Sequence, residues 1–293
     1  MSPASIAVVT SNDPHYVDPE LPVIAEALAA VGVSVDVVSW DDEVDWAAYA
    51  LVVVRSPWDY FDRVVEFFEW AAAVELVTRI VNPVDVLRWN SHKGYLVELA
   101  AKGVPTVPTR LIPGESVDVD AQLAECPWEE VVVKPAVDGG ARKTLRARRD
   151  TAEAREHAET LSREGDVIVQ PFVPGIVDGE RSLVFFGGAL SHAVLKVPAS
   201  GDYRVQYFHG GSELEHAPDS AELRVALAAI DNAPGRLTYA RVDLVDWEGA
   251  PSLIELEAVE PDLYLRDSPE RLDRFAAAVC AELRSTAGEG PPS

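Results

Sequence analysis

Residues 237–261 read LTYARVDLVDWEGAPSLIELEAVEP. The runs 239–245 and 252–259 are apolar or alternating, with Trp247-Glu248-Gly249-Ala250-Pro251 supplying turn residues between them, so the spacing predicts an antiparallel hairpin. With the turn centred near Gly249, Asp243 falls opposite Glu255. Side chains alternate faces along a strand, so Glu255 and Glu257 share a face while Leu256 points to the other, and the three carboxylates converge on one side. Three like charges that close require a cation, and oxygen-only ligation suits a hard ion such as Mg2+. The competing reading is an ordinary solvated hairpin face, since the chain carries 49 acidic residues.

At 293 residues the chain has room for two or three packed units, and 48% hydrophobic with 25% charged residues marks it as globular. A formal charge of −24 argues against nucleic acid or an anionic membrane surface as partner. Any anionic ligand must therefore meet local positive charge. The first twenty residues show no secretory signal and no apolar run approaches membrane-spanning length, so a cytoplasmic location is expected. Cys126 and Cys280 give neither a disulfide framework nor a zinc spacing. Of the 25 basic residues only five are Lys, at positions 93, 102, 134, 143 and 196. In a chain that otherwise chooses Arg, each Lys marks a place for a compact ammonium.

Upstream, residues 6–10 read as a buried strand, and Asp18-Pro19 as an N-cap with Pro opening a helix that closes at Gly32. Residues 33–40 and 51–55 are further strands, and 63–78 carry helical periodicity in Val64, Phe67, Phe68, Ala71 and Val74. This order implies a small α/β unit with a mostly parallel sheet, whose ligands lie at the carboxyl ends of the strands. The loops leaving those ends are 11–18 and 56–62, which makes His15, Arg55, Trp58 and Asp59 candidate substrate contacts. A turn with an aromatic plug is the competing reading of RSPWDY.

Asn82-Pro83 repeats the cap signal, and Ser91 is expected to cap a helix that contains Lys93 and closes at Gly103. After the extended residues 104–109, a strand over 129–135 ends in VVVKP and runs through the glycine-bearing 136–144 into a strand over 145–148. A hairpin tip rich in backbone N–H groups, with Arg142 and Lys143, suits phosphates. It is not a P-loop, because the Gly-x-x-x-x-Gly-Lys-Ser/Thr order is absent. A helix is expected over 151–163, strands over 167–172 and in DGERSLVFFGG and LSHAVLKVP, extended chain over 201–211, and helices over 219–230 and 269–283. Residues 286–293 read as a disordered Gly/Pro tail.

In this order the pieces resemble the ATP-grasp superfamily of carboxylate ligases, over roughly residues 82–261. Lys93 precedes an extended V-P-T segment, Lys134 ends a strand before a glycine-rich hairpin, QPFVPG is followed by DGE, and K-V-P, D-Y-R and G-G lead to Asp243 and Glu255-x-Glu257. The segment VQPFVPGIVDGE is similar to glutathione synthetases. WNSHKGYL, SHAVLKVP, GDYRVQYFHGG and ELEAVEP resemble the small ligases that include the D-cycloserine-forming O-ureido-serine cyclo-ligase.

The resemblance implies an α/β ATP-grasp fold with α+β lobes: a parallel α/β substrate domain over 1–82, a central domain with the ATP-binding hairpin over 83–172, and a C-terminal lobe with the metal site over 173–285. It implies ATP and Mg2+ as cofactors. Lys93 and Lys134 would hold the phosphates, with Lys143 beside them; Gln170, Pro171, Phe172 and Val173 would face adenine, and Glu180 would bind the ribose hydroxyls. Asp243, Glu255 and Glu257 would hold Mg2+, while Lys196 and Arg204 would contact the γ-phosphate and acyl-phosphate oxygens as the catalytic pair. The chain departs from the family pattern at Glu257, where the family usually has Asn, which puts the coordination in doubt.

The activity so implied is an ATP- and Mg-dependent ligase that activates a small amino-acid-like carboxylate as an acyl phosphate for attack by an amine or oxyamine, either of a second molecule or of the same one as in cycloserine formation, with antibiotic biosynthesis as the setting. A small-molecule kinase, a peptide-bond-forming amino-acid ligase and a nucleotide-binding protein without turnover are the alternatives. The expected partner is a small-molecule acid, with no nucleic acid and no membrane, and a homodimer is left open.

Overall fold

The structure, a computed structural model, describes residues 5–116, 118–205 and 210–285. The tail at 286–293 and part of the extended segment at 201–211 lie outside the described residues. Three sheets organise it. The first is parallel, in the order β2 (Ser34–Ser39), β1 (Ser5–Thr10), β3 (Leu51–Ser56), β4 (Ile80–Val81), with α1 (Leu21–Ala30) and α2 (Val64–Glu75) packed on it. Every residue of β3 is buried, as parallel strands covered on both faces require.

The second sheet is antiparallel, in the order β5 (Arg110–Ile112), β8 (Val167–Pro171), β6 (Glu130–Pro135), β7 (Leu145–Arg148). Val131 and Val133 of β6 pack against α5 (Val119–Ala124) and α6 (Ala152–Ser162), so the alternating Lys134 is directed to the opposite face.

The third sheet runs β11 (Ser212–His216), β10 (Ala189–Val197), β9 (Glu180–Phe186), β12 (Tyr239–Trp247), β13 (Ala250–Glu257). One face, with Val242, Leu244 and Leu256, is covered by α3 (Val84–Ser91), α4 (Tyr95–Ala101) and α7 (Ser220–Asp231). Toward its other face Val184, Phe186 and Tyr239 pack with α8 (Pro269–Ser285) and the first sheet in one continuous core. A unit boundary placed at residue 172 therefore does not separate cores, because α3 and α4 belong physically to the third sheet.

Local cap signals are overridden in three places. Asp18 does not cap α1, which begins at Leu21 after Glu20; its side chain instead accepts from the Glu20 N–H and pairs with Arg55. Asn82 is buried and spans Thr238 N–H and the Tyr239 and Ala258 carbonyls. Ser91 ends α3, donating to the Arg88 carbonyl, so Lys93 sits in the turn between two helices instead of on one.

Candidate active site

The predicted hairpin is present. Glu248 and Gly249, both at positive φ, form the two-residue turn whose twist matches the strands. Asp243 pairs with Glu255 and Arg241 with Glu257, and the register shifts beyond Asp243, leaving Ile254 as the extra residue of a bulge. Carboxylate oxygens of Asp243, Glu255 and Glu257 lie within 4.8 Å of one another. The free edge of β13 is closed by side chains and extended chain: Tyr95 and Asn90 bond Leu256 and Ala258, and Val107 N–H donates to the Leu253 carbonyl. The carboxylates therefore stand on a fixed frame.

Cations surround them. The Arg241 guanidinium donates to Asp243 at 2.9–3.1 Å and to Glu257. Lys196 Nζ lies between Glu180 and Asp243, 3.5 Å from the latter. From the turn between α3 and α4, Lys93 Nζ lies 3.2 Å from Glu255 and also donates to the Asp138 carbonyl in the glycine-rich hairpin.

The electrostatics follow from burial and these contacts. Burial would raise the Asp243 carboxyl, but Arg241 and Lys196 outweigh it and hold the group well below the usual range. Glu255 is likewise lowered, because Lys93 and Lys134 more than offset its burial. Burial, reinforced by the neighbouring carboxylates, pushes Glu257 up to about 7 despite Arg241. Lys134 is pushed below its ordinary value by burial, with Lys93 adding to the effect and Glu255 opposing it.

An oxygen-only donor set on a rigid hairpin fits a hard divalent cation such as Mg2+. Glu257, where the resemblance leads one to expect Asn, is paired with Arg241.

The other sequence-named residues distribute unevenly. Gln170 donates to Thr109 Oγ1 at 3.0 Å, and Pro171 ends β8. The Phe172 ring lies under the Arg146 guanidinium, 3.4 Å from ring centre, with Tyr203 at its edge, and Val173 is buried beside Phe172 and Tyr203. Lys143 turns away to Glu164 at 2.7 Å on the surface. Arg204 is held by Asp202, which also accepts from the Tyr203 and Arg204 N–H groups, so this turn closes on itself. Among the described residues the guanidinium at the carboxylates is Arg241, not Arg204.

Of the substrate candidates, His15 is exposed and pairs with Asp13 at 2.7 Å. Asp59 accepts from Trp40 Nε1 and pairs with Arg63. Arg55 is buried, with its guanidinium committed to Asp18, Glu20 and the Pro261 carbonyl, which makes it a joint between the first sheet and the loop after β13. Trp58 Nε1 donates to the Glu260 carbonyl at 3.1 Å in that same loop. Sequence reasoning passed over Arg241 and Glu260. For Arg241 the signal was present, since it lies two residues before Asp243 and so shares its face.

A glycine-bearing antiparallel lobe facing a lobe whose hairpin clusters carboxylates, with lysines between, is the arrangement of an ATP-grasp ligase. Residues 6–82 match the family model of the D-cycloserine synthetase DcsG N-terminal domain, and residues 100–239 that of the prokaryotic glutathione synthetase ATP-grasp domain. The cycloserine biosynthesis protein DcsG of Streptomyces lavendulae is 34% identical over 95% of this chain and 99% of its own length. The crystal structure of D-cycloserine synthetase DcsG superposes with a TM-score of 0.86 at 33% identity, covering 96% of this chain and 100% of that one. D-alanyl-alanine synthetase A from Vibrio cholerae, at 15% identity, TM-score 0.72 and coverage of 99% and 100%, shares the fold. The chain belongs to the DcsG family of ATP-grasp ligases. Among the described residues no helix is long and apolar enough to cross a membrane.

Proposed function

We propose that this ligase uses ATP and Mg2+ to convert a small amino-acid carboxylate into an acyl phosphate, which a nitrogen of the same molecule attacks to close a ring, as in cycloserine formation. The observation that carries the reading is the gathering of Lys93, Lys196 and Arg241 about Asp243, Glu255 and Glu257. No covalent nucleophile is needed. The substrate carboxylate oxygen attacks the γ-phosphorus and ADP leaves; the nitrogen then attacks the carbonyl carbon, phosphate leaves and the nitrogen gives up a proton, and where that nitrogen carries a carbamoyl group, water removes it as CO2 and ammonia. Such transfer needs positioning and charge neutralisation more than chemistry from the protein.

Asp243, Glu255 and Glu257 would hold Mg2+, which would neutralise phosphate charge during the transfer. Lys93 and Lys134 would carry the phosphates, residues 170–173 the adenine, and Glu180 the ribose. Lys196, kept protonated by Asp243 and Glu180 against the effect of burial, offers a fixed positive charge to the acyl-phosphate oxygens. The match of residues 6–82 to the DcsG N-terminal domain supports a small acid substrate bound between that unit and the hairpin.

The test is incubation with ATP, Mg2+ and O-ureido-serine, with and without hydroxylamine. ADP, phosphate and a cyclic product are expected, with a hydroxamate when hydroxylamine is present. AMP and pyrophosphate would refute the acyl-phosphate route, and a persistent phosphorylated alcohol would indicate a kinase.

A further inference from the structure

Glu260 follows the hairpin by three residues and lies where the loop after β13 meets the first sheet. That loop is fastened along its length: Trp58 Nε1 donates to the Glu260 carbonyl, Arg55 to the Pro261 carbonyl, and Leu265 N–H to Glu20. The Glu260 carboxyl accepts from the buried Tyr60 hydroxyl. Among the described residues it forms no ion pair, and Lys93 reaches it only through space, opposed by Glu257 and Glu255. The side chain is half-buried, and its partial desolvation with the Glu257 charge pushes its carboxyl up to about 8. Bonded to a hydroxyl and without an ion pair among the described residues, this carboxylate is free to take a cation.

We infer that Glu260, with Tyr60, binds the α-ammonium of the substrate and makes the site select an α-amino acid over its des-amino counterpart. The inference rests on the reading that the site activates a small carboxylate. In an α-amino acid the ammonium is one carbon away from the carboxylate. Glu260 follows Glu257 by three residues on the loop held by Trp58, so it borders the carboxylate set at which the substrate acid would be activated, within the field of Glu257, Glu255 and Lys93. The loop holding Trp58 and Tyr60 leaves the carboxyl end of β3, where parallel sheets receive small ligands. The ammonium would supply the missing counter-charge through charge-assisted hydrogen bonds.

The experiment compares O-ureido-serine with its des-amino analogue 3-(ureidooxy)propanoate on the full chain and on Glu260→Gln, by ADP release and by calorimetric binding in the presence of a non-hydrolysable ATP analogue and Mg2+. Loss of a charge-assisted contact is expected to raise KM and Kd for the amino acid by about tenfold or more, with those for the des-amino acid and for ATP within about twofold. Glu260→Asp, which keeps the charge, should retain most of the preference and serves if the Gln variant does not fold. An unchanged ratio of the two binding constants, or an equal loss for both acids, would overturn the role of Glu260. Absence of turnover in the wild-type chain with the binding preference intact would reject the ligase reading and leave the ammonium site standing.

Discussion

Asp243 and Glu255 face each other across the β12–β13 ladder at the last regular pair before the bulge, and Lys93 stands 3.2 Å from the second of them. Glu255 thus joins the carboxylate set to the turn that also touches the glycine-rich hairpin through the Asp138 carbonyl. Replacing Glu255 by Gln removes one ligand charge but leaves Lys93 its carbonyl partner. Turnover should fall by about 100-fold or more with the fold retained by circular dichroism. A near-normal rate of ADP release at saturating Mg2+ would reject Glu255 as a ligand.

Arg241 binds Asp243 and Glu257 together. Substituting Met leaves the buried Asp243 and the half-buried Glu257 without their shared guanidinium, and since only one of the two is fully buried the cost falls toward or below the lower end of the about 3–5 kcal/mol of a broken buried pair. Mg2+ that binds only the folded chain should restore part of that loss by mass action. Thermal melts with and without Mg2+ are expected to show a lower Tm for Arg241→Met and a larger Mg2+-dependent rise than in wild type. Equal rises in both would show that Arg241 and the cation do not share these carboxylates.

The glycine-rich hairpin is seated against the first sheet's loop: a Cβ on Gly139 would lie 2.5 Å from Phe61 Cζ, and Arg142 pairs with Asp62 at 3.1 Å. Gly139→Ala therefore forces Phe61 to move or the hairpin to lift, and overpacking of this kind costs about 1–3 kcal/mol. The expected outcome is an increase of about 5- to 100-fold in KM for ATP. Gly139→Ala combined with Phe61→Ala should recover most of it. If the double variant is no better than the single one, the contact does not govern seating of the hairpin.

The hairpin was legible because its alternation puts apolar Val242, Leu244 and Leu256 on one face and the charges on the other, and its turn chemistry fixes the register. What escaped the sequence depended on distant partners. Asn82 and Ser91 carry cap chemistry, but the buried amide of Asn82 is satisfied by residues more than 150 positions away, and Lys93 is placed by the Ala136 carbonyl instead of by a helix. β11, SELEH, has four exposed residues out of five and only the edge of β10 to pair with, so it lacks a periodic signal. Arg204 looked like a site cation because it is a basic residue in a motif, yet the nearby Asp202 holds it locally.

The last prediction concerns pH. His192 on β10 sits beside Phe186, with Nε2 2.9 Å from the Leu263 carbonyl and Nδ1 2.9 Å from Ser191 Oγ. Burial, aided by the Arg271 charge, pushes its imidazole down to about 4 from an ordinary 6.5, against the pull of the Leu263 carbonyl. The folded chain thus prefers the neutral ring. Its contribution to stability is complete above about pH 6.5, where the unfolded chain is neutral too, and is lost as the pH falls from there towards 4 and the unfolded state takes up the proton first. At about 1.4 kcal/mol per unit, the loss attributable to this ring has a ceiling of about 3.5 kcal/mol. Urea unfolding of wild type and His192→Gln at pH 7.5, 5.5 and 4.5 should show wild type losing more stability across that window. Carboxylate protonation acts on both proteins and cancels in the comparison. Parallel losses in the two proteins would mean that His192 titrates alike in the folded and unfolded chains.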